Sequence, residues 1–135
     1  MFKGFNIGAD TAGSTSPYGL AMGHAHTVVG AYSIKDAAGT VTNRLIRIRN
    51  PWGSDSYTGP WYDGDSRWTA AIKAQVPYAN SNEGYFFIEV NDFILGFYYF
   101  TINYMRDTWR TNYYEKLSDD GSLAYRNFTF TLARA

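Results

Sequence analysis

Two histidines, His24 and His26, open one apolar run, and an asparagine, Asn50, closes the next, directly before Pro51, Trp52 and Gly53. A strand that only packs a core has no use for imidazoles at one end and a carboxamide at the other. Together they suit one kind of chemistry. A carboxamide oxygen bonded to one ring nitrogen of a histidine fixes its tautomer and ring plane. That is the base and orienter of a Cys-His-Asn nucleophilic site. Two other readings use the same residues. The histidines are satisfied side chains near a strand end, or they are a zinc pair at i, i+2 with no obvious carboxylates nearby to complete it.

The elements that must position these groups are legible from pattern. "AHTVVGAYSI" (25–34) and "VTNRLIRIRN" (41–50) have strand composition, and the intervening "KDAAG" carries turn residues, which makes a β-hairpin. In the second strand Leu45, Arg47 and Arg49 alternate with Ile46, Ile48 and Asn50, so one face is apolar until it ends in the amide. Pro51 cannot donate to a ladder, making Asn50 a natural last strand residue. A turn centred between Ala37 and Ala38 sets residue 25 opposite residue 50. A shift of one either way brings His24 or His26 across from Asn50, and directly opposed Cβ atoms lie roughly 4.5–5.5 Å apart. Both histidines share a face because strand side chains alternate.

Elsewhere, residues 4–21 are rich in Gly, Ser, Thr and Pro and read as a loop or lead-in. "SRWTAAIKAQV" places Trp68, Ala71, Ile72, Gln75 and Val76 on one helical stripe. "EGYFFIEV" reads as a strand, "NDFILGF" as one or two helical turns capped by Asn91, and "YYFTINYM" as another strand. "DDG" at 119–121 makes a turn, and "NFTFTLA" alternates as a closing strand. The fold class that follows is mainly β (α+β), an antiparallel sheet with one or two short helices.

Length fits one domain with a real core, 135 residues. Formal net charge is zero with the signs interspersed, which leaves no electrostatic footprint for nucleic acid or an anionic membrane. No apolar run reaches membrane-span length. The N-terminal "MFKGFNIGADTAG" lacks the apolar core of a signal peptide, so an intracellular, cytoplasmic origin is expected. Aromatic residues reach 19% and suit a pleated, half-buried core, with a sugar platform of Trp61, Tyr62 and Trp68 as a further reading.

Four stretches, "GLAMGHAHTVVGA", "RLIRIRNPWG", "YTGPWYDGDSRW" and "NEGYFFIEVNDFILGF", occur in an order and spacing that resemble the second half of the calpain protease core. The Asn-Pro-Trp-Gly variant points to calpains within the papain-like proteases. The resemblance covers roughly residues 19–105, leaving 1–18 as lead-in and 106–135 as closing strands or the start of another domain. It implies a sheet or barrel subdomain in which His24 is the catalytic base, His26 a packing or supporting residue, and Asn50 the orienter. Trp52 would form the active-site wall. Each half of the family's core binds calcium, which here implies Asp63 and Glu83 as ligands. Two further acidic positions fall on Ser56 and Tyr85, with Asp55 or Asp65 as substitutes. Calcium takes six to eight oxygens.

The family's nucleophile is a thiolate on the other subdomain, and this sequence contains no cysteine. The expectation is half an active site: the His/Asn-bearing part of a calpain-like intracellular cysteine endopeptidase, inert alone. Its partners would be the Cys-bearing subdomain and protein substrates. The alternative is a non-catalytic module that binds a peptide or a partner protein through the same aromatic surface. An upstream reading frame encoding a Cys-Trp nucleophile motif would separate the two.

Overall fold

The computed structural model describes residues 6–13 and 17–103. Five strands make one sheet: β1 (Asn6–Asp10), β2 (Ala25–Lys35), β3 (Val41–Arg49), β4 (Tyr85–Glu89) and β5 (Tyr99–Asn103). Their spatial order is β4-β3-β2-β1-β5, and every neighbouring pair is antiparallel. Two short helices, α1 (Ala70–Lys73) and α2 (Val90–Gly96), complete it. The mainly β expectation holds. Among the described residues no helix is long and apolar enough to cross a membrane. The expected turn at 119–121 and strand at 127–133 lie outside the described residues.

The lead-in is where the sequence reading fails. Residues 6–10 are not loop but β1, an inner strand between β2 and β5. Its segment, Asn-Ile-Gly-Ala-Asp, has little β-branched character, yet small side chains are what a crowded inner position admits, and Ala9 is fully buried. Tertiary packing overrides propensity here. The 66–76 helix shrinks to the four residues of α1, with the Thr69 side chain capping the Ile72 N–H. The remainder of that stretch still docks, because the Gln75 amide bonds both the N–H and the C=O of Lys35 at 2.9 and 3.0 Å, as a neighbouring strand would. Helix α2 begins two residues early, with Glu89 at the N-cap and Asn91 inside it.

The hairpin forms around Asp36, whose carboxylate accepts the Ala38 and Thr40 N–H groups at 2.9 Å each. Its register differs from a regular ribbon at two places. Val28 pairs with Ile48 and Gly30 with Arg47, so Val29 is an extra residue on β2, and a second irregularity follows Ile34. A bulge reverses which parity faces which side. His26 and Val28 accordingly lie over the face of Ile48, Phe86, Ala9 and Phe97, while Tyr32 and Ile34 lie over that of Leu45, Phe87, Trp61 and Trp68. The sheet thus carries two cores, split on β4 by the adjacent Phe86 and Phe87.

Gly30 is a close approach rather than a turn. A Cβ there would stand 2.7 Å from the Tyr32 ring. Overpacking of this kind costs about 1–3 kcal/mol, which for a domain of this size lowers Tm by several degrees. Gly30→Ala is expected to show that drop in thermal denaturation, and Gly30→Ala with Tyr32→Leu to regain most of it. An undiminished Tm in the single variant would refute the contact.

Candidate active site

His24 sits one residue before β2, and its backbone is held from β1. Thr11, buried just past that strand, accepts the His24 N–H on its hydroxyl at 3.0 Å. The Thr11 N–H in turn donates to the His24 carbonyl at 3.1 Å. The same hydroxyl donates to the Ala21 carbonyl at 2.6 Å. Nothing in the sequence pattern singles out Thr11, because its partners are backbone groups ten or more residues away.

Asn50 leaves β3 and is completely buried. Its backbone N–H donates to the Gly84 carbonyl at 2.7 Å, and its carbonyl accepts the Gly53 N–H at 3.1 Å. Its side-chain Nδ2 donates to the Ser54 carbonyl at 2.9 Å. The amide's orientation follows, because nitrogen must face the Ser54 carbonyl and Oδ1 must face the other way. Oδ1 accepts the Trp52 N–H at 3.0 Å and stands 2.8 Å from His24 Nε2. An amide oxygen can only accept, so His24 carries its proton on Nε2. In the neutral ring Nδ1 then keeps a lone pair, which is the state a base needs.

Two more rings fix the imidazole plane. Trp52 stacks on it with centroids 3.9 Å apart and planes 26° apart, although the indole itself is 65% exposed. His26 meets it edge-on at 4.7 Å. Continuing the β2–β3 register past Thr27 and Arg49 would set His26, not His24, across from Asn50. The chain turns away at Asn50, and the amide reaches His24 diagonally instead. His26 is 3% exposed, wedged between Phe86 and Phe97, with both ring nitrogens lacking partners. Burial, and then the charge of His24, push its pKa down to about 4, so it is an uncharged wall at neutral pH.

The loop after Trp52 gathers carboxylates. Asp55, Asp63 and Glu83 each offer a ligand atom within 4.8 Å of the others, and neither histidine joins such a group among the described residues. The acidic pair expected from sequence is therefore brought together, and Asp55 is its third member. Asp65 is not: its carboxylate accepts the Trp61 and Arg67 N–H groups at 2.8 and 2.9 Å and pairs with the Arg67 guanidinium. Burial alone would raise that carboxyl, but those donors outweigh it and hold it low. Tyr85 faces Arg47 rather than the acids.

The trio fits a hard cation by its unmet needs. Asp55 Oδ1, Asp63 Oδ2 and Ser56 Oγ are buried without a hydrogen-bond partner. Burial, with the negative charges of Asp55 and Glu83, raises the Asp63 pKa to about 6. Burial and the Glu83 charge raise that of Asp55 as well. Gly84 links this trio to the base. It adopts φ +87°, and a Cβ on it would lie 2.7 Å from the Asn50 carbonyl oxygen. Trp61 and Trp68 are buried core residues in edge-to-face contact, which removes the expected sugar platform.

Comparison with known proteins identifies the family. The family model for calpain family cysteine proteases matches residues 4–104. Calpain-12 of Mus musculus is 36% identical over 81 residues, 58% of this chain. The calpain-1 catalytic subunit of Sus scrofa is 34% identical over 125 residues, 83% of this chain. The calpain-type cysteine protease DEK1 of Arabidopsis thaliana is 32% identical over 101 residues, 70% of this chain. The chain spans 11%, 17% and 4% of the lengths of these three relatives. With its sheet, its buried carboxamide and these relatives all concordant, the chain belongs to the calpain family of cysteine proteases.

Proposed function

We propose that this chain supplies the His/Asn half of a calpain-type cysteine endopeptidase site, completed by a Cys-bearing subdomain of the parent protein. The observation that carries the reading is the 2.8 Å approach of His24 Nε2 to the buried Asn50 Oδ1. With Nε2 committed to the amide, Nδ1 is left for the thiol. His24 takes the thiol proton, the resulting thiolate attacks the peptide carbonyl, and His24 returns the proton to the departing amine. Trp52 forms the wall over the ring, stacked on it at 3.9 Å. Intracellular proteins are the substrates of this reading. The chain by itself has no nucleophile, since its sequence lacks cysteine. The exposure of Trp52 favours a second reading, in which that surface binds a peptide without cleaving it.

Calcium is part of the proposal. Asp63, Glu83 and Asp55 would hold it, with oxygens beyond these three needed to fill its shell and with Ser56 and Tyr85 standing where relatives carry acids. When bound it would neutralise three crowded carboxylates beside the segment that carries Asn50.

Mixing the chain with a Cys-bearing calpain half tests the catalytic part. Peptide hydrolysis should appear on mixing. His24→Ala should lose about 10²–10⁴-fold, the usual worth of a general base. His26→Ala should retain most of the rate, with Asn50→Ala between them. Equal losses at His24 and His26 in folded variants would mean that the wrong imidazole has been assigned. Persistent silence with tight complex formation would favour the binding module.

The acidic trio makes an independent prediction. Asp63 has a folded pKa near 6, above its unfolded value of 3.8, so the native state holds its proton more tightly. Its contribution favours folding at low pH and is lost as pH rises from about 4 to 6. In chelator, Asp63→Asn should raise Tm at pH 7.5 and change little near pH 4. In millimolar calcium the sign at pH 7.5 should reverse. A variant that destabilises equally with and without calcium would end the cation reading.

A further inference from the structure

Away from the base, β3 carries a second unusual pair. Arg47 and Arg49 flank the buried Ile48 and project from the face opposite Asn50. Across β4 their register partners are Phe87 and Tyr85, and the two guanidinium carbons stand 4.3 and 5.7 Å from the same Tyr85 ring centroid. Arg47 also lies 5.8 Å from the Phe87 centroid. On the β2 side the opposing residues are Gly30 and Thr27, which carry no charge. Glu89, the acid on that face of β4, makes no ion pair with either arginine. Among the described residues the one ion pair is Arg67–Asp65. Arg47 Nε is buried with no acceptor.

Two like charges gathered on one ring repel each other, and no acid on the three strands forms an ion pair with either. A guanidinium held over a ring by a cation–π contact can still present N–H groups at its edge, and such an edge matches a carboxylate in bidentate fashion. Residues two apart on a strand repeat every ~6.6 Å, and the same repeat separates alternate side chains of an extended peptide. We propose that the Arg47–Tyr85–Arg49 cluster is a docking surface for an extended protein segment with acidic side chains at alternate positions. One carboxylate would sit on each guanidinium. This surface does not depend on the proposed proteolysis.

The test uses the full chain and the Nε–H resonances of its arginines. The probes are the blocked pentapeptide Gly-Glu-Val-Glu-Gly and its isomer Gly-Glu-Glu-Val-Gly. At low salt the alternating peptide should shift both arginine signals and bind about tenfold tighter than the isomer, the worth of one charge-assisted pair. Arg49→Gln, at an exposed position, should weaken it by a similar factor, and raising salt should weaken it further. Tyr85→Leu should reduce binding while circular dichroism stays unchanged, and it decides the matter should Arg47→Gln not fold. Equal affinity for both isomers overturns the proposal. So does unchanged binding in Arg49→Gln, or stronger shifts from inorganic phosphate or phosphatidylserine vesicles than from the peptide.

Discussion

A carboxamide removed from water must find hydrogen-bond partners inside the protein, and every polar atom of Asn50 has at least one. Its backbone and side chain bind Gly84, Gly53, Ser54, Trp52 and His24. An unsatisfied buried polar group costs roughly 1–3 kcal/mol, so these bonds are demanded by burial before any chemistry is considered. The same requirement fixes which end of the amide faces the imidazole, and hence which ring nitrogen carries the proton. The bend after β3, the Gly84 turn and the placement of Trp52 all follow from where this side chain is anchored.

The sheet serves that anchor from two sides. β1 and Thr11 hold the backbone of His24, β4 and Gly84 hold that of Asn50, and β2 and β3 set the distance between them. His26 fills the space behind the base with an aromatic shape whose charge burial suppresses. A charged ring there would oppose the imidazolium that the proposed chemistry requires of His24.

Much of this was legible in the sequence, and the failures have physical causes. The hairpin, the short strand before α2, and the association of His24, Asn50 and Trp52 rest on alternation and on motif residues, which act locally. β1 was missed because Asn-Ile-Gly-Ala-Asp is selected for smallness at an inner strand rather than for β propensity. The hairpin register was off by one from the turn itself, where Lys35 pairs with Val41; the extra residue at Val29 only offsets the irregularity after Ile34, and nothing in "HTVVGAY" distinguishes a bulged valine from a paired one. Thr11 and Gly84 act through backbone groups distant in sequence, so side-chain patterning does not reveal them. Asp55 and Asp65 looked equivalent until Asp65 proved to be engaged by Trp61 and Arg67.

The Val29 bulge has a consequence for how the strand divides its labour. Because parity reverses there, the first stretch of β2 lends His26 and Val28 to the layer beneath the base. The second lends Tyr32 and Ile34 to the aromatic layer under Trp61, next to the acidic loop. One continuous ribbon thus underpins two separate sites, and injury to either stretch would surface on its own side of the sheet rather than across it.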